Sequence, residues 1–156
     1  MSTSTDAYLY FGFDFFDTEG TGRGPFDDYD GEWEFAYAAA VGIHDDSGYI
    51  VNGNYAHPRG AERDAAQKRY FDYRDRVRAA ARESGCSIGA HCMGEAPIYY
   101  AYVTPHHHSA WRGKSVEVDP AKLVVTPEEI QKLRSFGEVM GIEWQEPRWR
   151  LASYWG

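Results

Sequence analysis

The chain has 156 residues, with 26% charged and 43% hydrophobic residues and a formal net charge of −8. One domain is the natural expectation at this length, and it is large enough to bury a core without disulfide staples. The acidic balance argues against a general affinity for nucleic-acid phosphates or anionic membranes, and leaves a protein with a basic surface as the natural partner.

No apolar run approaches the ~18 residues that span a bilayer. The opening Met1–Asp6 is polar and lacks the basic region of a secretory signal. Two cysteines are too few for a secreted disulfide scaffold. A cytoplasmic protein is expected.

The first element is an aromatic strand from Ala7 to Phe16. Leu9, Phe11, Phe13 and Phe15 share one face, and Tyr8, Tyr10, Gly12 and Asp14 share the other. The first set is the predicted core face. Residues 17–58 then form a long insertion with weak periodicity. Gly20, Gly22, Gly24 and Pro25 punctuate its start, Asp27-Asp28-Tyr29-Asp30 makes it acidic, and Asp45-Asp46-Ser47-Gly48 marks a turn. Inside it, Trp33–Val41 reads as a short helix and Tyr49–Asn54 as a short strand. A structureless connection of this length is unusual in a compact domain, so the insertion is expected to be packed or functional.

The next helix runs from Pro58 or Ala61 to Glu83, with Ala66, Tyr70, Tyr73, Val77 and Ala81 as its apolar stripe and Gly85 as its stop. Eight of the sixteen basic residues fall between Arg59 and Arg82, interleaved with Glu62, Asp64, Asp72 and Asp75. They read as a salt-bridged solvent face, with a basic docking surface as the alternative.

Two strands follow, Cys86–Cys92 and Pro97–Val103, paired as a hairpin through Met93-Gly94-Glu95-Ala96. A loop is expected at 104–114 and an extended piece at Ser115–Val118. The last helix carries the best boundary signals, with Thr126 as N-cap, Pro127 at the first position and Glu128 and Glu129 behind it. Ile130, Leu133, Phe136 or Gly137, and Met140 form its buried face, and Gly141 ends it. Arg148–Trp155 is the final strand, where Trp149, Leu151 and Trp155 alternate with Arg150, Ala152 and Tyr154.

This order predicts a single α+β domain over residues 1–156. It is the ferredoxin-like β-α-β-β-α-β arrangement: a four-stranded antiparallel sheet with two helices on one face, and the 17–58 insertion after the first strand. The other face would carry Tyr8, Tyr10, His91, Tyr100 and Tyr102, an aromatic patch larger than monomers usually expose. Three readings compete for it. The insertion folds across and buries it, or it is a homodimer or partner interface, or it stacks single-stranded bases. The last lacks the basic-led aromatic motif of RNA-recognition domains and has the wrong charge.

Chemical motifs are weak. His106-His107-His108 invite a metal reading, but adjacent residues of an extended chain point in alternate directions, so three neighbours rarely converge on one ion. Cys86, His91 and Cys92 are zinc-ligand types, but a strand from 86 to 92 holds its ends about 20 Å apart. Buried thiols acting as small apolar residues are the simpler account. Asp27-Asp28-Tyr29-Asp30-Gly31 fails as a calcium loop, because the register that fits Gly31 puts Phe26 and Tyr37 at the two essential carboxylate positions. No P-loop, G-x-S-x-G elbow or H-E-x-x-H occurs. No catalytic residue, metal or cofactor is expected. The alternative is a small metal-dependent hydrolase or nucleotide-binding enzyme using His44, Asp45, Asp46 and His57.

The run Tyr8-Leu9-Tyr10-Phe11-Gly12-Phe13-Asp14 with its acidic sequel to Asp17 resembles the opening strand of small uncharacterised accessory proteins of tailed bacteriophages. The resemblance implies a phage origin and a place in the host cytoplasm. It also implies a host-takeover or anti-defence role, because small acidic phage proteins often bind and disable a host protein. The resulting expectation is a non-enzymatic protein-binding module. Its contacts would be Phe26, Asp27, Asp28, Tyr29, Asp30 and Trp33 of the acidic segment with Tyr8, Tyr10, Tyr100 and Tyr102 of the sheet face, carboxylates steering and aromatics anchoring.

Overall fold

The computed structural model describes residues 5–15, 32–51, 54–55, 60–93 and 96–155. Its elements are β1 (Thr5–Phe15), α1 (Trp33–Ala40), the short strands β2 (Ile50–Val51) and β3 (Asn54–Tyr55), and α2 (Ala61–Ser84). Then come β4 (Cys86–Met93), β5 (Ala96–Ala110), a 3-10 turn at Pro120–Leu123, α3 (Pro127–Met140) and β6 (Arg148–Trp155). The architecture is α+β. Among the described residues, three helices accompany a four-stranded antiparallel sheet in the order β4-β5-β1-β6, and β2 and β3 pair by themselves.

The helices form where their apolar residues can share a face. On α2, Ala66, Tyr73, Val77 and Ala81 are buried, as the predicted stripe requires. Phe35, Ala38 and Ile43 from the α1 region pack on Tyr73 and Val77. Trp33 and Tyr37, four apart on α1, turn instead toward α3, with Trp33 edge-on to Phe136 at 5.6 Å and Tyr37 stacked on it at 5.3 Å. The start of α3 is a complete capping box. Thr126 Oγ1 accepts from the Glu129 N–H at 3.3 Å, and Glu129 Oε2 accepts from the Thr126 N–H at 2.8 Å. Ile130, Leu133, Phe136 and Met140 then pack against Phe11, Phe13 and Phe15 of β1, Cys86 and Ile88 of β4, and Ala101 and Val103 of β5. This is the main core, between sheet and helices.

The segment between α1 and α2 is held by side chains rather than by long pairing. Asp45 Oδ1 accepts from the Ser47 N–H at 2.8 Å, and the Ser47 carbonyl accepts from Arg69 Nη2 at 3.1 Å. Asp46 pairs with Arg76 at 2.7 Å. The single strand expected over Tyr49–Asn54 is a small hairpin, because β2 and β3 are two residues each and fold back on one another.

The largest departure from the sequence reading is β5. The loop predicted for 104–114 is strand as far as Ala110. Tyr10 pairs with His107 while Gly12 pairs with Tyr102, so Phe11 faces four residues, Val103 to His106. Proline cannot donate to a ladder, and this wide bulge places Pro105 where no ladder bond is required of it. His106 fixes the bulge to the helix layer. Its Nδ1 donates to the Lys122 carbonyl at 2.8 Å, and Nε2 lies 3.1 Å from Glu129 Oε1. The extended piece expected at Ser115–Val118 joins no sheet.

The sheet is also strongly rolled. Four flat strands would hold their outer members about 14 Å apart, yet Cα atoms of β4 and β6 come within 8 Å of each other. Helices occupy the Phe11–Phe13–Phe15 side, so the edges close across the opposite face. Gly12 marks the tightest point: a Cβ there would lie under 3.0 Å from backbone atoms of Ala101 and Tyr102. Only a residue without a side chain lets β1 and β5 approach this closely.

Candidate functional site

The side chains that period-2 alternation points away from the helices meet inside the roll. Tyr10 stacks on Tyr100 at 4.1 Å between ring centroids. Tyr102 lies 5.4 Å from Tyr100 and 4.5 Å from His107, and Tyr8 lies 5.5 Å from His107. Register explains the gathering, since Tyr10 is opposite His107 across one ladder, and Tyr100 and Tyr102 are opposite Gly89 and Ser87 across another. Gly89 leaves the floor on which the Tyr100 ring lies, because a Cβ there would fall under 3.0 Å from two atoms of that ring and from its hydroxyl oxygen.

A polar network ties the rings together. The Tyr10 hydroxyl donates to Asp14 Oδ1 at 2.5 Å, and Arg150 Nη1 holds Asp14 Oδ2 at 3.0 Å. The Tyr100 hydroxyl lies 3.2 Å from His107 Nε2. Burial raises the hydroxyl pKa of Tyr10, reinforced by the bond to Asp14 and its charge, and burial likewise raises that of Tyr100. Burial lowers the pKa of His107, with His108 adding to the effect. At neutral pH the tyrosines are therefore neutral donors and His107 is a neutral acceptor, so Tyr100 donates to it. Asp14 and Arg150 form the charged pair of this network.

The expected aromatic face thus exists, but it is not an open surface. Tyr10 is 1% and Tyr100 3% exposed, while Tyr8 and Tyr102 are half-buried. With Tyr10 and Tyr100 buried, the face does not present a flat platform for a homodimer or for stacked bases. Trp33 is half-buried, packed edge-on against Phe136. Phe26, Asp27, Asp28, Tyr29 and Asp30 lie outside the described residues, as do the side chains of His91 and Cys92.

Of the residues of the hydrolase alternative, Asp45 and Asp46 have other tasks. Asp45 caps the Ser47 turn and Asp46 pairs with Arg76, while His57 lies outside the described residues. The three histidines divide as alternation requires: His107 enters the tyrosine cluster, and His106 and His108 lie against Trp149. Among the described residues no group of three His, Cys, Asp or Glu is placed to hold a metal ion. Cys86 is free and buried, and burial pushes its thiol up to about 12.

Sequence reasoning missed His107, Asp14 and Arg150 as members of one network. Asp14 and Arg150 were on the correct face by alternation. His107 joins them only because the strand continues past Pro105, which local composition argues against.

The opposite side of the sheet offers the exposed apolar surface. Beyond Phe11 and Trp149 the strands run past the helices, and Leu9, paired with both His108 and Leu151, belongs to this uncovered end. Leu151 is 77% exposed. Val124, 69% exposed, follows Leu123, whose carbonyl accepts the Trp149 indole N–H at 3.2 Å. Trp111, 70% exposed, follows the last residue of β5 at the same end. By alternation Ala7, Leu9, His108, Ala110, Leu151 and Ser153 share this face, and none is acidic or a lysine or arginine. No helix among the described residues is long and apolar enough to cross a membrane. No known protein family, curated protein or solved structure matches this chain.

Proposed function

We propose that this chain is a non-enzymatic protein-binding module, a phage-encoded accessory protein acting in the host cytoplasm on a host or phage protein with a basic surface. The observation that carries this reading is the uncovered sheet end, where Leu151, Val124 and Trp111 stand exposed on a protein of charge −8. Exposed aromatic and aliphatic groups anchor a partner, and surrounding carboxylates steer its approach. The role of the acidic segment with Asp27, Asp28 and Asp30 is part of the same proposal. We also read the fold as ferredoxin-like with residues 17–58 inserted. The order β4-β5-β1-β6 and its antiparallel pairing support that reading, since counting these strands alone gives 2-3-1-4.

Capture from bacterial lysate tests the function. The wild-type chain is expected to retain a basic protein in stoichiometric amount, less of it as salt is raised. Leu151→Asp is expected to abolish retention by placing a charge in the anchor. Changing Asp27, Asp28 and Asp30 together to Asn is expected to slow association and flatten its salt dependence. Retention untouched by both variants, or no retained protein at low salt, refutes the proposal.

A further inference from the structure

We propose that the groove bounded by α1, α2 and the start of β4 binds an extended acidic segment of another protein, read by Arg74, Arg78 and Arg82. This site is separate from the uncovered sheet end, and the inference does not depend on the reading given to that surface.

The basic residues of α2 divide by direction. Arg69 and Arg76 face the 43–49 segment and are used there, on the Ser47 carbonyl and on Asp46. Arg74, Arg78 and Arg82 are spaced four apart and so line one flank, each next to a buried member of the stripe at Tyr73, Val77 and Ala81. That flank opens on two adjoining hollows. One, of about 390 Å³, is lined by Trp33, Glu34, Arg78, Arg82, Ser87 and Thr104 among others. The other, of about 270 Å³, has Glu32, Glu34, Phe35, Arg74, Val77 and Arg78 as its walls.

The arginines reach these hollows with little of their charge committed. Arg78 has an exposed pair with Asp75 at 3.8 Å, a separation that contributes little. Among the described residues Arg74 and Arg82 form no ion pair, and Arg74 Nε is buried without a hydrogen-bond partner. A buried guanidinium nitrogen left without an acceptor favours a ligand that supplies one.

Spacing and charge select the occupant. Four residues of helix rise about 6 Å, and two residues of extended chain advance about 6.6 Å. An extended peptide with Asp or Glu at alternate positions therefore presents one carboxylate to each of the three arginines, and the mismatch across the ladder, about 1 Å, is within the reach of the side chains. Glu32 and Glu34 on the facing wall oppose a uniformly charged strand such as a nucleic-acid backbone. They leave room for a peptide whose charges alternate with neutral residues. Trp33 and Phe35 supply apolar contact for those neutral side chains, and Thr104 supplies a hydroxyl donor.

Fluorescence anisotropy with a short labelled peptide of alternating Glu and Ser tests the proposal, using the Gln–Ser peptide and an oligothymidylate of similar length as comparisons. Wild-type protein is expected to bind the Glu peptide and not the Gln peptide. Arg74→Gln, Arg78→Gln and Arg82→Gln should each weaken binding roughly 3-fold, in the range of partly exposed ion pairs, and together about 30-fold. The triple Arg→Lys variant should recover part of that loss, and far-UV circular dichroism checks that each variant is folded. If the Gln triple fails to fold, the three single variants decide. Failure of the Glu peptide to bind, unchanged binding by folded arginine variants, or tighter binding of oligothymidylate than of the Glu peptide overturns the assignment.

Discussion

Gly12→Ala probes the closure of the sheet where it is tightest. The added Cβ would fall under 3.0 Å from the Ala101 carbonyl carbon and oxygen and from Cα of Tyr102. Carbon atoms in ordinary contact sit ~3.5–4.0 Å apart, so β1 and β5 must separate by on the order of 1 Å. Gly12 also pairs with Arg148 on β6, so any retreat of β1 disturbs both of its neighbours. Overpacking costs about 1–3 kcal/mol, and an obstacle made of backbone belongs at the upper end of that range. The lower chain entropy of Ala in the unfolded state returns about 0.5–1 kcal/mol. The expected net loss is about 2–2.5 kcal/mol, or roughly 4–10 °C in Tm for a chain of this size. Urea unfolding should show a lower midpoint at unchanged slope. Gly89→Ala is the comparison, because its Cβ meets the Tyr100 ring rather than backbone. A ring can tilt, at the expense of its stack on Tyr10, so about 1–2 kcal/mol is expected. A Gly12→Ala protein within about 0.5 kcal/mol of wild type, or a Gly89→Ala protein that is the less stable of the two, refutes this account of the roll.

Two further outcomes follow from the same geometry. His107 has a folded pKa below its unfolded value of 6.5, so the native state binds fewer protons and its stability falls as pH drops through 6.5, levelling off below the folded pKa. Unfolding free energy between pH 7 and pH 5 should fall more steeply for wild type than for His107→Gln, by at most about 1.4 kcal/mol per pH unit for one proton; equal slopes contradict the buried neutral imidazole. Thr126→Ala removes the oxygen that accepts the Glu129 N–H and should cost about 1 kcal/mol in chemical denaturation, whereas Thr126→Ser should stay within a few tenths.

What the sequence discloses here depends on how local the deciding physics is. The α3 boundaries were legible because capping chemistry is written in consecutive residues, Thr126 to Glu129. The α2 stripe and the two faces of β1 were legible because period alone sets them. The roll was not. It depends on Gly12 meeting Ala101 and on Gly89 meeting Tyr100, pairs brought together by register and not by proximity in the chain. For the same reason alternation places the tyrosines on one face but leaves their exposure open among three readings, and the structure buries Tyr10 and Tyr100. Pro105 misled differently: its composition signals a loop, and only a bulge three residues wider than a regular pairing lets the strand absorb it. Composition gives α2 a salt-bridged solvent face with a basic docking surface as the alternative, and it does not reveal that alternate flanks of the helix have different neighbours.

The central position of β1 between β5 and β6 sets a timetable for folding. Its register with β6 runs from Thr5 opposite Trp155 to Gly12 opposite Arg148, so the strand made earliest is flanked by one made more than a hundred residues later. Closing a loop of that length carries an entropic cost of about 4 kcal/mol before any contact compensates it. During synthesis one side of an aromatic strand must therefore wait unpaired, a condition that slows folding and exposes the nascent chain to association with its neighbours. The same adjacency makes a circular permutant attractive: a short linker joining β6 to β1 would turn that distant pairing into a local hairpin and should accelerate folding without altering the finished sheet.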